Sequence, residues 1–243
     1  MKTGIQLYTV RETLKDDFKG TLRKLAEIGY GAVEFAWNYG GMTPEQLAGF
    51  LDECTLACCG MHMPLDALLD VNSEHYRYAN AVNAPCVTVS LAGRVATDWE
   101  NVPAELAQGA AIAAGHGLSL TYHNHAQELA AFENTTALDW LYAHTAPELV
   151  KAELDTYWLA KGGGDPVAYV SRYAGRQPQL HLKDMDREDG SFAEVGTGTL
   201  DFPAIIAAAQ AAGVEWLIVE QDKCKRAALD SAAISLKNIN GLI

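Results

Sequence analysis

Gln179-Leu180-His181-Leu182-Lys183-Asp184 reads as a β-strand, and the chain that follows it decides the fold. Asp201-Phe202-Pro203 supplies an N-cap and a first-turn proline, Ile205, Ile206 and Ala209 recur at helical steps, and Gly213 closes the helix. Residues 216–221, Trp-Leu-Ile-Val-Glu-Gln, form the next strand-like run. Strand, helix, strand in this order is a βα unit, whose strands pair in parallel. Outward from it the same alternation continues, with strand-like runs at residues 4–9, 32–36, 59–63, 86–90, 119–124, 150–155, 179–184 and 216–221. Between the first two, Phe18, Leu22, Leu25 and Ile28 mark one helix face and Gly29 ends it, while Thr43-Pro44-Glu45 starts another helix. Eight units in 243 residues is the arithmetic of a closed α/β barrel, a (β/α)8 TIM barrel, as a single domain over residues 1–243. The third unit is short of chain at residues 66–72, so its helix is expected to be trimmed.

Composition agrees with a globular chain, at 49% hydrophobic and 20% charged residues. Acidic residues number 31 against 18 basic ones, a formal charge of −13 that repels a phosphate backbone, so nucleic acid is not an expected partner. No apolar run is long enough to span a membrane, and the start goes straight into a strand, so a cytoplasmic protein without a membrane partner is expected. Five cysteines without a Cys-x-x-Cys pair read as free structural thiols.

In this architecture chemistry sits at the C-terminal ends of the strands. Four consecutive strands end in polar residues: Tyr122-His123-Asn124-His125, Glu153-Leu154-Asp155, His181-Leu182-Lys183-Asp184 and Glu220-Gln221-Asp222. Side chains alternate faces, so His181 and Lys183 share one face while Leu180 and Leu182 pack against helices. A buried carboxylate without a partner costs several kcal/mol, so such clustering points to a cation or a substrate. Imidazole with carboxylate suits Mn2+, Zn2+, Co2+ or Fe2+ better than Ca2+ or Mg2+. His75, His116 and His144 lie in helical or turn stretches and are expected to be structural, and Gly196-x-Gly198 reads as a turn.

The order of motifs resembles the sugar phosphate isomerase/epimerase family of xylose isomerase-like TIM barrels, in its Tyr-His-Asn-His branch. The resemblance rests on Ile5-Gln6-Leu7-Tyr8-Thr9-Val10-Arg11, Val33-Glu34-Phe35 after Gly29-Tyr30, Tyr122-His123-Asn124-His125 with Glu128, and Asp155-Thr156-Tyr157-Trp158. It continues through Asp165-Pro166 with Gly175-Arg176, His181-Leu182-Lys183-Asp184, Val195-Gly196-Thr197-Gly198 with Asp201-Phe202, and residues 216–222. It implies one divalent metal ion, Mn2+ first, with Asp155, His181 and Glu220 as ligands. His123 stands where sugar 3-epimerases of the family carry a glutamate, with His125 and Glu128 as alternatives for that position. The resemblance further implies an isomerase or epimerase that abstracts a proton beside a sugar carbonyl. Only Glu220 remains of the two metal-bound glutamates that would pass a proton between opposite faces, so dehydration or elimination from a keto-sugar or inosose stands beside it.

In that reading Glu220 is the base, and His125, Glu128 or Lys183 takes the second acid-base role. Lys183 would stabilise an oxyanion, with an exposed surface lysine as the competing reading. Asp184 and Asp222 either orient the histidines or cap loops. His62 and Glu34 would reach the far end of a small sugar or cyclitol substrate, and Tyr8, Trp37 and Trp158 would stack on it. The competing functions are an apurinic-site endonuclease, disfavoured by seven histidines and the negative charge, and a non-catalytic sugar-binding or partner subunit. A homo-oligomer is compatible with either reading.

Overall fold

In the computed structural model, which describes residues 1–92 and 96–243, eight parallel strands close into one barrel. They are β1 (Lys2–Gln6), β2 (Ala32–Ala36), β3 (Ala57–His62), β4 (Cys86–Ser90), β5 (Ser119–His123), β6 (Val150–Asp155), β7 (Gln179–Leu182) and β8 (Trp216–Val219). Each pairs with the next, and β8 closes on β1 with Lys2 opposite Trp216 and Ile5 opposite Val219. The expected single-domain (β/α)8 barrel is the architecture found.

Three strands, β2, β4 and β6, have the bounds that the sequence predicts. Others end early because side chains at the barrel mouth capture the backbone. The first run gives way to a 3-10 turn at Leu7–Val10, where the Gln6 side chain accepts from the Tyr8 N–H at 3.1 Å. Strand β7 stops at Leu182, and the Lys183 N–H donates to Thr156 Oγ1 at 3.0 Å. After β8 the Gln221 N–H donates to Thr9 Oγ1 at 3.1 Å.

Helices start where capping chemistry appears in the sequence. Asp17 accepts from Gly20 N–H ahead of Phe18–Ile28, and Gly29 ends that helix at φ 112°. Thr43 and Gln46 form a reciprocal capping box before Pro44–Cys54, and Asp201 accepts from Ala204 N–H at the start of Phe202–Ala211. The third unit carries two short helices, Leu65–Leu69 and Glu74–Ala81, so the helix expected to be trimmed is split in two.

The apolar core fills the space between strands and helices, and Leu180 and Leu182 belong to it. Inside the barrel the apolar content is small, a plug of Ala32, Cys59 and Ile218. The interior above the plug is polar, and that sets up the site.

One loop is built by a carboxylate. Buried Asp184 accepts four backbone N–H groups: Met185 and Leu200 on Oδ1, Gly196 and Gly198 on Oδ2. This is the loop-capping role, and Gly196-x-Gly198 is the turn it holds, with Gly196 at φ 80°. Asp184→Ala strands those donors and is expected to cost about 3 kcal/mol in urea unfolding.

Candidate metal centre at the barrel mouth

Each polar strand end is oriented by a local contact. Asp155 ends β6 and caps the following helix: Oδ1 accepts from Trp158 N–H at 2.9 Å, while its own N–H donates to Asn124 Oδ1 at 3.1 Å. The cap turns Oδ2 toward the barrel axis. His181 on β7 places Nδ1 2.8 Å from Glu220 Oε2, just past β8. His123, the last residue of β5, brings Nε2 to 3.9 Å from Asp155 Oδ2. One donor atom from each of His123, Asp155, His181 and Glu220 lies within 4.8 Å of the others, and all four residues are buried.

Lys183 is 1% exposed, which removes the surface-lysine reading. Its Nζ sits 2.8 Å from Asp222 Oδ1, 2.9 Å from Glu220 Oε2 and 3.2 Å from Asp155 Oδ2. Burial disfavours the ammonium, but the three carboxylates outweigh burial and raise its pKa, so it stays charged. Burial opposes ionisation of Glu220 too, yet Lys183 and the hydrogen bond with His181 hold it well below the usual range. Asp222 shares the same ammonium, but burial and the Glu220 charge push it up. Burial also lifts Asp155 to about 6 against the pull of Lys183. His125 is depressed to about 4 by burial and by Lys183, so its imidazole is neutral near pH 7.

A cavity of about 180 Å³ opens above this group, lined by Gln6, Tyr8, Trp37, His62, His123, His125, Lys183, Glu220 and Asp222 with Ala36, Ser90 and Ala92. Tyr8 and Trp37 form one wall, with ring centroids 6.5 Å apart, and Trp37 is 52% exposed. Trp158 is absent from the lining and packs behind His125, ring centroids 5.1 Å apart. Glu128 is placed outside the site, because its carboxylate accepts from Tyr122 Oη at 2.8 Å and from His125 N–H at 2.9 Å. It caps the 3-10 turn Ala126–Leu129.

Glu34 does not line the cavity. It is fully buried beneath the cavity, accepting from Gln6 Nε2 at 2.7 Å and lying 2.7 Å from His181 Nε2. His62 bridges the two levels, lining the cavity while its Nε2 sits 2.9 Å from Glu153 Oε1 and 3.3 Å from Glu34 Oε2. Those carboxylates overcome burial and raise His62 to about 10. Sequence reasoning gave no role to Glu153, although its place two residues before Asp155 puts both on the inward face. It also missed that Asp222 faces Lys183 and the cavity rather than a histidine. His75, His116 and His144 lie outside the cavity lining against Tyr39, Tyr76 and Trp140.

The four clustered donors fit a divalent cation. One buried atom aimed into the region, Asp155 Oδ2, has no hydrogen-bond partner, and the Lys183 contact with it lacks hydrogen-bond geometry. Such an orphan is rare in a satisfied core and is what a ligand group shows without its ion. Two imidazoles with two carboxylates suit Zn2+, Mn2+, Fe2+ or Co2+.

Residues 22–239 match the model of the xylose isomerase-like TIM barrel family. An inosose dehydratase of Lactiplantibacillus plantarum is 28% identical over 203 residues, 68% of this chain and 67% of that protein. The chain spans about half the length of other inosose dehydratases that it matches. Among solved structures, a sugar phosphate isomerase/epimerase from Parabacteroides distasonis superposes with a TM-score of 0.82 at 21% identity, covering 98% of this chain and 93% of that one. The IOLI protein, solved with a bound zinc atom, superposes with a TM-score of 0.77 at 13% identity over 100% and 98% of the two chains. Among the described residues no helix is long and apolar enough to cross a membrane.

Proposed function

The chain belongs to the xylose isomerase-like TIM barrel family, and from that premise we propose that it is a divalent-metal-dependent dehydratase of a keto-sugar or cyclitol ketone. The observation that carries this reading is the placement of the cavity's carboxylates. Among the described lining residues, Glu220 and Asp222 are the only two, and they flank one buried ammonium, that of Lys183. Epimerisation by two carboxylates needs one on each face of the substrate. A base and an acid side by side suit elimination, and the named inosose dehydratases among the relatives support the same reading.

His123, Asp155, His181 and Glu220 would hold the ion, Mn2+ by preference. When bound, it supplies Lewis-acid polarisation of the substrate carbonyl. Glu220, kept ionised by Lys183, takes the proton from the carbon beside that carbonyl, and the C–H electron pair enters the enolate. The pair then returns to form the carbon–carbon double bond as the C–O bond one carbon further on breaks. Asp222, pushed toward its protonated form, gives its proton to the departing oxygen, so water leaves. Lys183 stays charged throughout and offsets the negative charge that moves between the two carboxylates. Tyr8 and Trp37 supply apolar faces for the ring.

The test is incubation of a panel of keto-sugars and inososes with the Mn2+-loaded protein in D2O, followed by NMR. Loss of water to an enone is expected, and Glu220→Gln should slow it by about 10²- to 10⁴-fold. Absence of both elimination and carbon-bound deuterium exchange with every ketone would leave the catalytic reading without support. A second reading, isomerisation or epimerisation, is favoured by one observation, the neutral imidazole of His125 on the cavity wall. It requires deuterium at carbon without loss of water, and His125→Ala should then abolish the exchange.

A further inference from the structure

Beneath the four proposed ligands lies a second tight group, His62, His123, Glu153 and His181, which shares two histidines with the first. Taken by composition alone it is a second cation site. The direction of each ring argues otherwise. His181 turns Nδ1 up to Glu220 Oε2 at 2.8 Å and Nε2 down to Glu153 Oε1 at 3.1 Å and Glu34 Oε2 at 2.7 Å. His123 keeps Nε2 on the Asp155 side and brings Nδ1 to 3.2 Å from the same Glu153 Oε1.

A neutral imidazole has one N–H and one lone pair, so fixing the N–H on one side commits the lone pair to the other. One carboxylate oxygen thus lies 3.1 and 3.2 Å from the rear nitrogens of both ligand histidines, with His181 Nε2 hydrogen-bonded to Glu34 and the His123 Nδ1 contact short of hydrogen-bond geometry. We infer that Glu153 is a positioning residue that sets the tautomers of His123 and His181 for a single ion above them, and that the lower group is an orienting layer rather than a second ion site. A cation in the lower group would have to displace the hydrogen that His181 Nε2 shares with Glu34 at 2.7 Å.

The layer is built to hold Glu153 still. Its Oε2 accepts from Thr88 Oγ1 at 3.1 Å, and Thr88 Oγ1 lies 2.6 Å from Thr121 Oγ1. Glu34 is braced separately by Gln6 and by Gln179 Nε2 at 3.2 Å, and Gly60 makes room, since a Cβ there would overlap Glu34 Oε1 and Gln179 Nε2. Glu34 reaches His181 and His62, whereas Glu153 also reaches His123.

This inference rests on the ligand assignment made under the proposed function. Its test is calorimetric titration of Mn2+ into metal-free wild-type, Glu153→Gln and Glu34→Gln proteins, with thermal melting of each metal-free protein alongside. One ion per chain is expected throughout, with Mn2+ binding about 10- to 100-fold weaker in Glu153→Gln and a smaller loss in Glu34→Gln. A merely structural Glu153 would lower the melting temperature and leave the Mn2+ affinity of the folded protein unchanged, which overturns the inference. Two ions per wild-type chain overturn it as well. Should Glu153→Gln not fold, Glu153→Asp carries the test, since it keeps the charge but draws it back from both rings and should weaken Mn2+ binding likewise. A wild-type chain that binds no Mn2+ overturns the ligand assignment and the inference together. Equal binding by wild type and variant overturns the inference alone.

Discussion

Asp155→Asn is expected to stabilise the metal-free protein and to abolish its metal binding in one substitution. The folded-state pKa of Asp155 is raised to about 6 by burial, from an ordinary value of 3.8. As pH rises from below 4, the unfolded chain releases this proton first, so the folded state binds more protons across that window and stability falls. Above about pH 6 the penalty is complete, at roughly 3 kcal/mol. Asparagine is nearly isosteric, keeps an Oδ1 that caps Trp158 N–H, and carries no charge to desolvate. Urea unfolding in chelator should therefore show the variant more stable by up to about 3 kcal/mol at pH 7.5 and no different at pH 3.5.

Mn2+ at 1,000 times its Kd should reverse the order, because it stabilises the wild type by about 4.1 kcal/mol and the variant gains nothing. Wild-type Mn2+ affinity should also weaken about tenfold for each pH unit below 6, where binding must displace the Asp155 proton. Equal stability of the two metal-free proteins at pH 7.5 would contradict the burial cost assigned to this carboxylate.

Lys183→Met should act in the opposite direction. It removes the one cation that, among the described residues, touches all of Asp155, Glu220 and Asp222, and leaves three carboxylates around an apolar side chain. Breaking a buried ion pair from one side costs about 3–5 kcal/mol, and the metal-free variant should lose about that much at pH 7.5. Without the ammonium the carboxylate pKa values rise, so the folded state takes up protons more readily than the unfolded chain. The loss should then shrink as pH falls toward 4. Mn2+ should bind at least as tightly as to wild type, because a divalent cation replaces the missing charge, while turnover falls about 10²- to 10⁴-fold. A variant with unaltered stability and turnover would contradict the charge-balancing role assigned to Lys183.

These expectations separate what is local from what is not. Strands β2, β4 and β6 are legible to the residue because turn residues bound short apolar runs, and the helix starts at Thr43 and Asp201 are legible because capping is a contact within three residues. The candidate ligands His123, Asp155, His181 and Glu220 are legible for the same reason, since strand alternation and strand ends are local properties. The strand-five glutamate is not. Glu128 stands three residues from His125, so a cap and a ligand look alike in sequence, and only the turn of the chain aims its carboxylate at Tyr122 and His125 N–H.

Glu34 and Glu153 show the other limit. Glu34 lies 28 residues from Gln6, 145 from Gln179 and 147 from His181, and Glu153 lies 91 from His62. No spacing rule spans such separations. Barrel closure alone brings these strands face to face and excludes the water that would otherwise solvate both acids.

The sequence by itself determined an eight-unit parallel barrel and a ring of imidazole and carboxylate at its C-terminal mouth, because periodicity, capping and alternation act over a few residues. Only the tertiary structure decided that Lys183 is buried among three acids, that Glu128 is a cap and that Glu34 and Glu153 lie beneath the histidines. Those outcomes depend on which side chains share a low-dielectric interior and which of their atoms meet, and closure of the barrel sets both.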